Sequence, residues 1–260
     1  MVKKILERCY LAFIFLLLYA PIIALMVLSF NKSRSRAKWG GFTLEWYTTL
    51  LNDRQIMNAF YTTLILAVLS ALIATIIGTA AAVGMTGLNK KKKTMLLGIS
   101  NIPMLNADVV TGIAFMLLFI RLNTWITFGF STILIAHVTF NIPYVVLSVM
   151  PKLRQTSKST YEAALDLGAS PVYAFFKVVF PDIFPGVLTG FLLAFTMSLD
   201  DFVITHFTKG AGVHTLSTKI YASLRKGVKP EMYALSTLMF VAVLVLLFIV
   251  NRGTEKKNEI

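Results

Sequence analysis

Residues 55–89 read QIMNAFYTTLILAVLSALIATIIGTAAAVGMTGLN and contain no charged side chain. A helix needs about 20 consecutive apolar residues to cross a hydrocarbon core about 30 Å thick. The stretch is longer than this, and it does not alternate between apolar and polar positions as a strand of a membrane barrel does. It therefore predicts a transmembrane α-helix.

Five more segments of the chain have the same apolar character. Residues 94–120 contain Asp108 as their only charged residue, and residues 183–207 contain only Asp200 and Asp201. Segments this long and this numerous do not fit a soluble core, so the sequence predicts an all-α integral membrane protein with six transmembrane helices. The other three segments are uncharged and cover residues 10–30, 122–150 and 232–251.

The composition agrees with a membrane protein. Of the 260 residues, 57% are hydrophobic and 14% are charged, whereas a soluble domain has about 25% charged residues. The net charge of +13 comes from basic residues between the apolar segments, which is typical of anchoring at membrane lipid rather than of nucleic-acid binding. The first segment is longer than a signal-peptide core and lacks a small-residue cleavage site, so we expect it to be retained.

The orientation follows from the number of spans and the loop charges. An even number of spans puts both termini on one side of the membrane. The four lysines at 90–93 lie in the shortest loop and favour a cytoplasmic position for that loop and for the termini. The first external loop of this topology is opposing evidence, because it contains four basic residues, Lys32, Arg34, Arg36 and Lys38.

The connection at residues 151–182 reads PKLRQTSKSTYEAALDLGASPVYAFFKVVFPD. Ser159 and Glu162 have the spacing of a capping box, and Gly168 suits a left-handed turn at a helix C-terminus. Ser170 before Pro171 is typical of a second helix start, and a later proline is expected to end that helix. The sequence therefore predicts two short helices at the membrane surface.

This connection resembles the EAA motif of ABC importer permeases, EAA-x3-G-x9-I-x-L-P. The resemblance implies an all-α, type I (MetI-like) permease whose cytoplasmic coupling helices, within residues 151–182, dock on a separate ATPase. It also implies a multi-pass protein of the cytoplasmic (inner) membrane with both termini in the cytoplasm. The matching positions are Glu162, Ala163, Ala164, Gly168 and Pro181, while Val178 and Phe180 replace the I and L of the motif.

Four other stretches resemble the polyamine branch of this family, the spermidine/putrescine permeases. The resemblance implies a complex of this chain with a second permease subunit, two copies of an ATPase subunit and an external polyamine-binding protein. The stretches are YAPIIALMVLSFN at 19–31, the apolar segment at 94–120 that contains Asp108, AFTMSLDDFVITHF at 194–207 and LSTKIYASLRKGVKPE at 216–231.

The chain has no sign of its own enzymatic chemistry. It contains no Gly-Lys dipeptide for a phosphate-binding loop and no CxxC, HExxH or GxSxG motif. We expect no catalytic residue, no metal and no cofactor. We expect an N-terminal helix and external loop at residues 1–55, a permease core at 56–251 and a cytoplasmic tail at 252–260.

The acidic residues within the spans are the candidate substrate pathway. A charged group at the bilayer centre costs at least about 2.5 kcal/mol, and no Lys or Arg lies inside these spans to pair with Asp108, Asp200 or Asp201. Carboxylates along a path would offset the lost hydration of a polycation such as a polyamine. The alternative is a structural hydrogen bond to a neighbouring helix. On a continuous helix, one of the two adjacent aspartates can face the path while the other bonds to other helices.

Other side chains and other functions remain open at this point. We interpret His137 and His206 as structural. We interpret Tyr144 and Trp125 as packing at the membrane interface, with stacking on ammonium groups as the alternative. One alternative function is a permease of the same family for ferric ion or sulfate. Another is a secondary transporter or channel that acts without ATP. An anion permease would be expected to have Lys or Arg in its pathway, whereas carboxylates also suit ferric ion.

Overall fold

The computed structural model describes residues 2–35, 37–227 and 229–258. Within these residues the fold is helical, with one isolated β-bridge between Asn31 and Phe42. The helices are α1 (Val2–Ser29), α2 (Glu45–Asn52), α3 (Arg54–Thr86), α4 (Lys90–Leu105), α5 (Asp108–Arg121), α6 (Phe130–Gln155), α7 (Lys158–Asp166), α8 (Pro171–Ala174), α9 (Phe180–Asp200), α10 (Val203–Thr208), α11 (Leu216–Lys226) and α12 (Pro230–Asn258), with a π-helical turn at Phe175–Val179 between α8 and α9.

Four of the described helices are long and apolar enough to cross a membrane. They lie at Leu6–Ser29, Arg54–Thr86, Phe130–Gln155 and Pro171–Asp200. The bent pair α4 and α5 would form a fifth span, and the apolar part of α12, Pro230–Val245, is shorter than the others. The all-helical membrane class is confirmed, while the count of six spans stays a prediction.

The predicted continuous span at 94–120 is wrong, because the chain turns by 102° between α4 and α5. Asn106 and Ala107 have extended backbones, with ψ of 149° and 138°. Pro103 lies in the last turn of α4 and has no N–H to continue its hydrogen bonds. Asp108 therefore begins α5 and does not lie at the midpoint of a helix.

The predicted continuous span at 183–207 is also interrupted. Helix α9 ends at Asp200, and Asp201 has an extended backbone with φ −58° and ψ 125°. The short helix α10 then starts at Val203. Both aspartates hence lie at a break between two helices, which is where non-helical backbone is tolerated if it is covered by protein or lines a polar cavity.

Helices α6 and α9 pack closely through two glycines one turn apart. An added Cβ at Gly186 would lie 2.8 Å from the Ser148 carbonyl oxygen, and one at Gly190 would lie 3.1 Å from the Val145 Cα. Small residues at this spacing let the backbones of membrane helices approach each other. Val145 is fully buried and also fills the space beside Gly78 of α3, so the three helices share one contact region.

The chain divides into two compact units. Residues 58–219 form one unit, which holds α4 to α10 and most of α3. Residues up to 57 and from 220 onward form the other, in which α1 and α2 pack on α12. The last two residues of the predicted tail at 252–260 lie outside the described residues.

The loop before α2 is organised by one asparagine. Asn31 Nδ2 donates to the Lys38 carbonyl at 2.9 Å, and its Oδ1 accepts from the Gly40 N–H at 2.8 Å. The Asn31 carbonyl in turn accepts from the indole N–H of the buried Trp46 at 2.7 Å. These bonds tie the loop to α2 within its own unit.

Candidate functional site

The two helix breaks lie side by side. Helices α5 and α10 pack on each other, and the absence of a side chain at Gly112 leaves room for the Phe207 ring, which would lie 2.8 Å from an added Cβ. A cavity of about 320 Å³ opens beside the breaks. Its lining includes all three aspartates of the predicted pathway, Asp108, Asp200 and Asp201, together with Pro103, Thr111, Phe140, Tyr144, Met197, Phe202, Val203 and Ile204.

The three carboxylates differ in their surroundings. Asp108 and Asp200 are exposed, and in the described part of the chain neither side chain accepts a hydrogen bond from another residue. The Asp201 side chain is only 10% exposed. Two carboxylates are thus free to meet a ligand, whereas the third is held by the protein.

Asp201 caps the short helix α10. Its Oδ1 accepts from the Ile204 N–H at 3.2 Å, and its Oδ2 accepts from the Thr205 N–H at 2.7 Å and from the Thr205 hydroxyl at 2.8 Å. A carboxylate at this position satisfies N–H groups that have no partner inside the helix. Asp201 therefore fixes the start of α10 relative to the end of α9.

The aromatic and histidine candidates differ in burial and in their position relative to the cavity. Tyr144 lines the cavity, but Trp125 does not and is 86% exposed in the turn after α5. His137 is fully buried, as a structural histidine should be, and bonds to Thr205. This bond could not be predicted from the sequence, because His137 and Thr205 lie on different helices and no spacing rule connects them.

A second polar cluster holds the helices behind the cavity. Ser198 of α9 lies 2.8 Å from the Ser70 hydroxyl of α3 and accepts from Asn141 Nδ2 of α6 at 2.7 Å. All three residues are buried. Hydrogen bonds between membrane helices contribute about 0.6 kcal/mol each on average, so the cluster orients the helices more than it stabilises them.

Helix α7, the first helix of the connection at 151–182, ends in a Schellman motif. Gly168 has φ +86°, the Gly168 N–H donates to the Leu165 carbonyl at 2.9 Å, and the Ala169 N–H donates to the Ala164 carbonyl at 3.1 Å. The left-handed turn predicted at Gly168 is confirmed. Glu162 and Ala163 lie on the exposed surface of α7.

The predicted capping box of α7 is wrong. The helix begins at Lys158, so Ser159 lies inside its first turn rather than before it, and no side chain caps the helix. The Ser159 hydroxyl instead lies 2.6 Å from that of Ser157. Glu162 is therefore left without the capping role.

The second helix of this connection, α8, does not end at Pro181 as predicted. The Ser170 hydroxyl accepts from the Tyr173 N–H at 3.3 Å, and Pro171 opens the helix, both as predicted. The helix then continues through the π turn into α9, with Pro181 at the first turn of α9. The π turn lies directly before this proline, whose missing N–H would leave one carbonyl of a regular helix without a partner.

Comparison with protein families decides the classification. The model for the binding-protein-dependent transport system inner membrane component matches residues 74–257. This chain belongs to that family. It is accordingly a multi-pass inner membrane subunit of a transport system, with the all-helical fold of ABC importer permeases.

Several permeases of this family are similar to the whole chain. The spermidine/putrescine transport system permease protein PotC of Escherichia coli K12 is 37% identical over 99% of this chain and 98% of its own length. The putrescine transport system permease protein PotI of the same organism is 40% identical over 90% of this chain and 85% of its own length. PotC of Haemophilus influenzae is 35% identical over 99% of this chain and 100% of its own length.

Solved ABC permeases share the fold at lower identity. A chain of a bacterial alginate ABC transporter, in complex with an alginate-bound periplasmic protein, has a TM-score of 0.76 and 15% identity over 98% of this chain and 94% of its own. A chain of the MetNI methionine ABC transporter has a TM-score of 0.62 and 18% identity over 82% of this chain and 99% of its own. At these identities the likeness establishes the fold alone.

Proposed function

We propose that this permease moves polyamines, spermidine or putrescine, across the cytoplasmic membrane as part of an ATP-driven importer. The observation that carries the proposal is the cavity at the two helix breaks, lined by the free carboxylates of Asp108 and Asp200 and by the rings of Phe140 and Tyr144. Carboxylates pair with ammonium groups, and aromatic faces attract them. No Lys or Arg is among the residues that line this cavity.

The charge balance of the cavity supports a cationic substrate. The N–H groups at a helix N-terminus carry a positive partial charge, and both α5 and the six-residue helix α10 begin beside the cavity. Asp201 offsets the start of α10. Asp108 and Asp200 then leave the cavity negative, which disfavours sulfate as the substrate.

The similar permeases support the same substrate class. The PotC and PotI proteins are named for spermidine/putrescine and putrescine transport, and they align with 90% or more of this chain. A polyamine is an extended cation with several ammonium groups, so two separate carboxylates can bind one molecule. A small hard cation would need its oxygen ligands gathered around one point.

In this proposal the chain works within a complex. The partners are a second permease of the PotB type, two copies of an ATPase of the PotA type and an external binding protein of the PotD type. Residues 56–251 form the transport core, and the coupling loop at 151–182 docks on the ATPase, which hydrolyses the ATP. Both termini then lie in the cytoplasm.

Uptake by the reconstituted complex tests the proposal. We expect the complex, loaded with ATP inside proteoliposomes and binding protein outside, to accumulate labelled spermidine or putrescine. Unlabelled polyamines should compete, whereas sulfate and ferric ion should not. Accumulation without ATP would identify a secondary transporter or channel, and competition by ferric ion alone would replace the proposed substrate.

The orientation is tested by labelling single cysteines. In a Cys9→Ser background, we expect Lys92→Cys to react with a membrane-impermeant thiol reagent only after the cells are opened. Ala211→Cys lies on the opposite side in the proposed topology. It should react in intact cells whose outer membrane lets the reagent reach the periplasm. Labelling of Lys92→Cys in intact cells would contradict the cytoplasmic position of the coupling loop.

The coupling turn is tested at Gly168. A valine at φ +86° is strained by about 1–2 kcal/mol, and the Schellman bonds must distort to relieve it. We expect Gly168→Val to reduce ATP-dependent uptake severalfold and to weaken ATPase binding. Gly168→Asn is the matched control, because asparagine tolerates left-handed backbone and should retain most activity. Wild-type uptake in the valine variant would remove this turn from the coupling mechanism.

A further inference from the structure

One buried histidine lies behind the wall of the carboxylate cavity. His137 on α6 has no exposed side-chain surface, and it is not among the residues that line the cavity. Its ring packs on the cavity residue Phe140, with 5.1 Å between the ring centroids. Its Nε2 lies 2.9 Å from Thr205 Oγ1 and 3.4 Å from Asp201 Oδ2. The histidine therefore reaches the cavity only through other side chains.

The hydrogen bonds of Thr205 set the direction of this contact. The Thr205 hydroxyl lies 2.8 Å from Asp201 Oδ2, and an ionised carboxylate can only accept. Because a hydroxyl has one hydrogen, Thr205 donates to Asp201 and accepts from His137. The Nε2 atom of His137 must then carry a hydrogen. The result is a directed chain from His137 through Thr205 to Asp201, and His137 Nε2 also faces Asp201 Oδ2 directly at 3.4 Å.

This chain determines what Asp201 can do. Asp200 and Asp201 are adjacent and line the same cavity, so two free carboxylates there would repel each other. The bonds from Thr205 and the backbone of α10 hold the Asp201 carboxylate on the helix start. Asp200, one residue earlier, is left as the exposed carboxylate of the pair.

We propose that His137 is a positioning residue for transport. It polarises Thr205, keeps Asp201 fixed to the start of α10, and thereby fixes the helix break that presents Asp200 to the cavity. The inference deepens the proposed function and rests on it, because it assumes that Asp200 meets the transported cation. In this proposal Asp201 holds the start of α10 and Asp200 meets the cation. The buried His137 on α6 affects the position of both aspartates.

Two amide substitutions at His137 separate this role from simple packing. The amide nitrogen of a glutamine reaches about as far as His Nε2 and can donate to Thr205, whereas that of an asparagine is one carbon shorter. We expect His137→Gln to keep near-normal uptake and His137→Asn to lose about tenfold, the effect of removing one hydrogen bond to a charged network. Equal uptake by the two variants at matched complex levels would overturn the proposal.

A double-mutant cycle with Thr205 provides the second test. Thr205→Val keeps the shape but removes the hydroxyl, and with it the bonds to both His137 and Asp201. It should therefore lose at least as much uptake as His137→Asn, and the double variant should lose no more than Thr205→Val alone. Thr205→Ser should stay active. Uptake and the melting temperature of the complex are measured for all variants. If the fold-loss of uptake in the double variant equals the product of the two single losses, the two residues act independently and the chain is refuted.

These outcomes are distinct from failure of the proposed function. If the wild-type complex imports a solute other than a polyamine, the substrate assignment fails. The His137 and Thr205 variants can then be compared with that solute, and the same pattern of losses supports or refutes the positioning role.

Discussion

The Asp108→Asn variant should lose about tenfold or more of its polyamine uptake. The substitution keeps the size and hydrogen-bonding capacity of the side chain and removes only its charge. Two opposite charges 4 Å apart attract by about 4 kcal/mol at an effective dielectric constant of 20, and a loss of about 1.4 kcal/mol already corresponds to tenfold. Asp108 is exposed at the cavity, so solvent screens part of its charge. We therefore expect a loss nearer the tenfold value than the full Coulomb attraction would give.

The uptake of two substrates makes this test specific. Putrescine has two ammonium groups and spermidine has three, so spermidine can keep more of its contacts when one carboxylate is lost. We expect the putrescine rate to fall further than the spermidine rate, with complex assembly and binding-protein docking unchanged. Asp108→Glu is the matched control, because it keeps the charge. Unchanged uptake of both substrates by Asp108→Asn would remove this residue from the pathway and leave Asp200 as the free carboxylate.

The Gly190→Leu variant should fail to assemble into a stable complex. An added Cβ would already lie 3.1 Å from the Val145 Cα, and the rest of a leucine would have to enter the buried contact between α6 and α9. Overpacking costs about 1–3 kcal/mol in a core that can adjust. Here Val145 is fully buried and also contacts the region of Gly78, so it cannot move aside. We therefore expect a loss at or above the upper end of that range.

The same substitution at Gly98 is the control for Gly190. Gly98 lies on α4, and nothing comes within 4 Å of an added Cβ there. We expect Gly98→Leu to accumulate in the membrane near the wild-type level, and Gly190→Leu to be depleted and to melt at a lower temperature in detergent. Equal stability of the two variants would contradict the close packing of α6 on α9.

The sequence predicted features that depend on local chemistry. Gly168 takes the left-handed conformation because no Cβ opposes it, and Ser170 with Pro171 starts a helix because the hydroxyl caps it and the proline lacks the superfluous N–H. The long uncharged run at 55–89 forms α3 because its residues favour helix in an apolar environment, which is also a local property. These features could be assigned from neighbours along the chain.

The sequence could not predict features that depend on contacts between distant residues. Hydropathy does not report the direction of the backbone, so residues 94–120 and 183–207 were each predicted as one continuous helix. In the structure the helices are interrupted at Asn106 and Asp201. The breaks persist because α5 and α10 pack on each other and Asp201 satisfies the N–H groups of α10. Only the folded arrangement brings Asp108 beside Asp200, although the residue types alone had marked both as candidates.

The π turn at Phe175–Val179 determines how many residues separate α8 from α9 as well as the local helix geometry. Its hydrogen bonds span one residue more than those of an α-helix, so it behaves as a one-residue insertion stored in the helix. Each residue turns an α-helix by about 100°, and deleting one residue here would convert the turn to α-helix without rotating α8 against α9. Inserting one residue elsewhere between Ser170 and Gly186 would instead turn the coupling surface away from the transmembrane packing face.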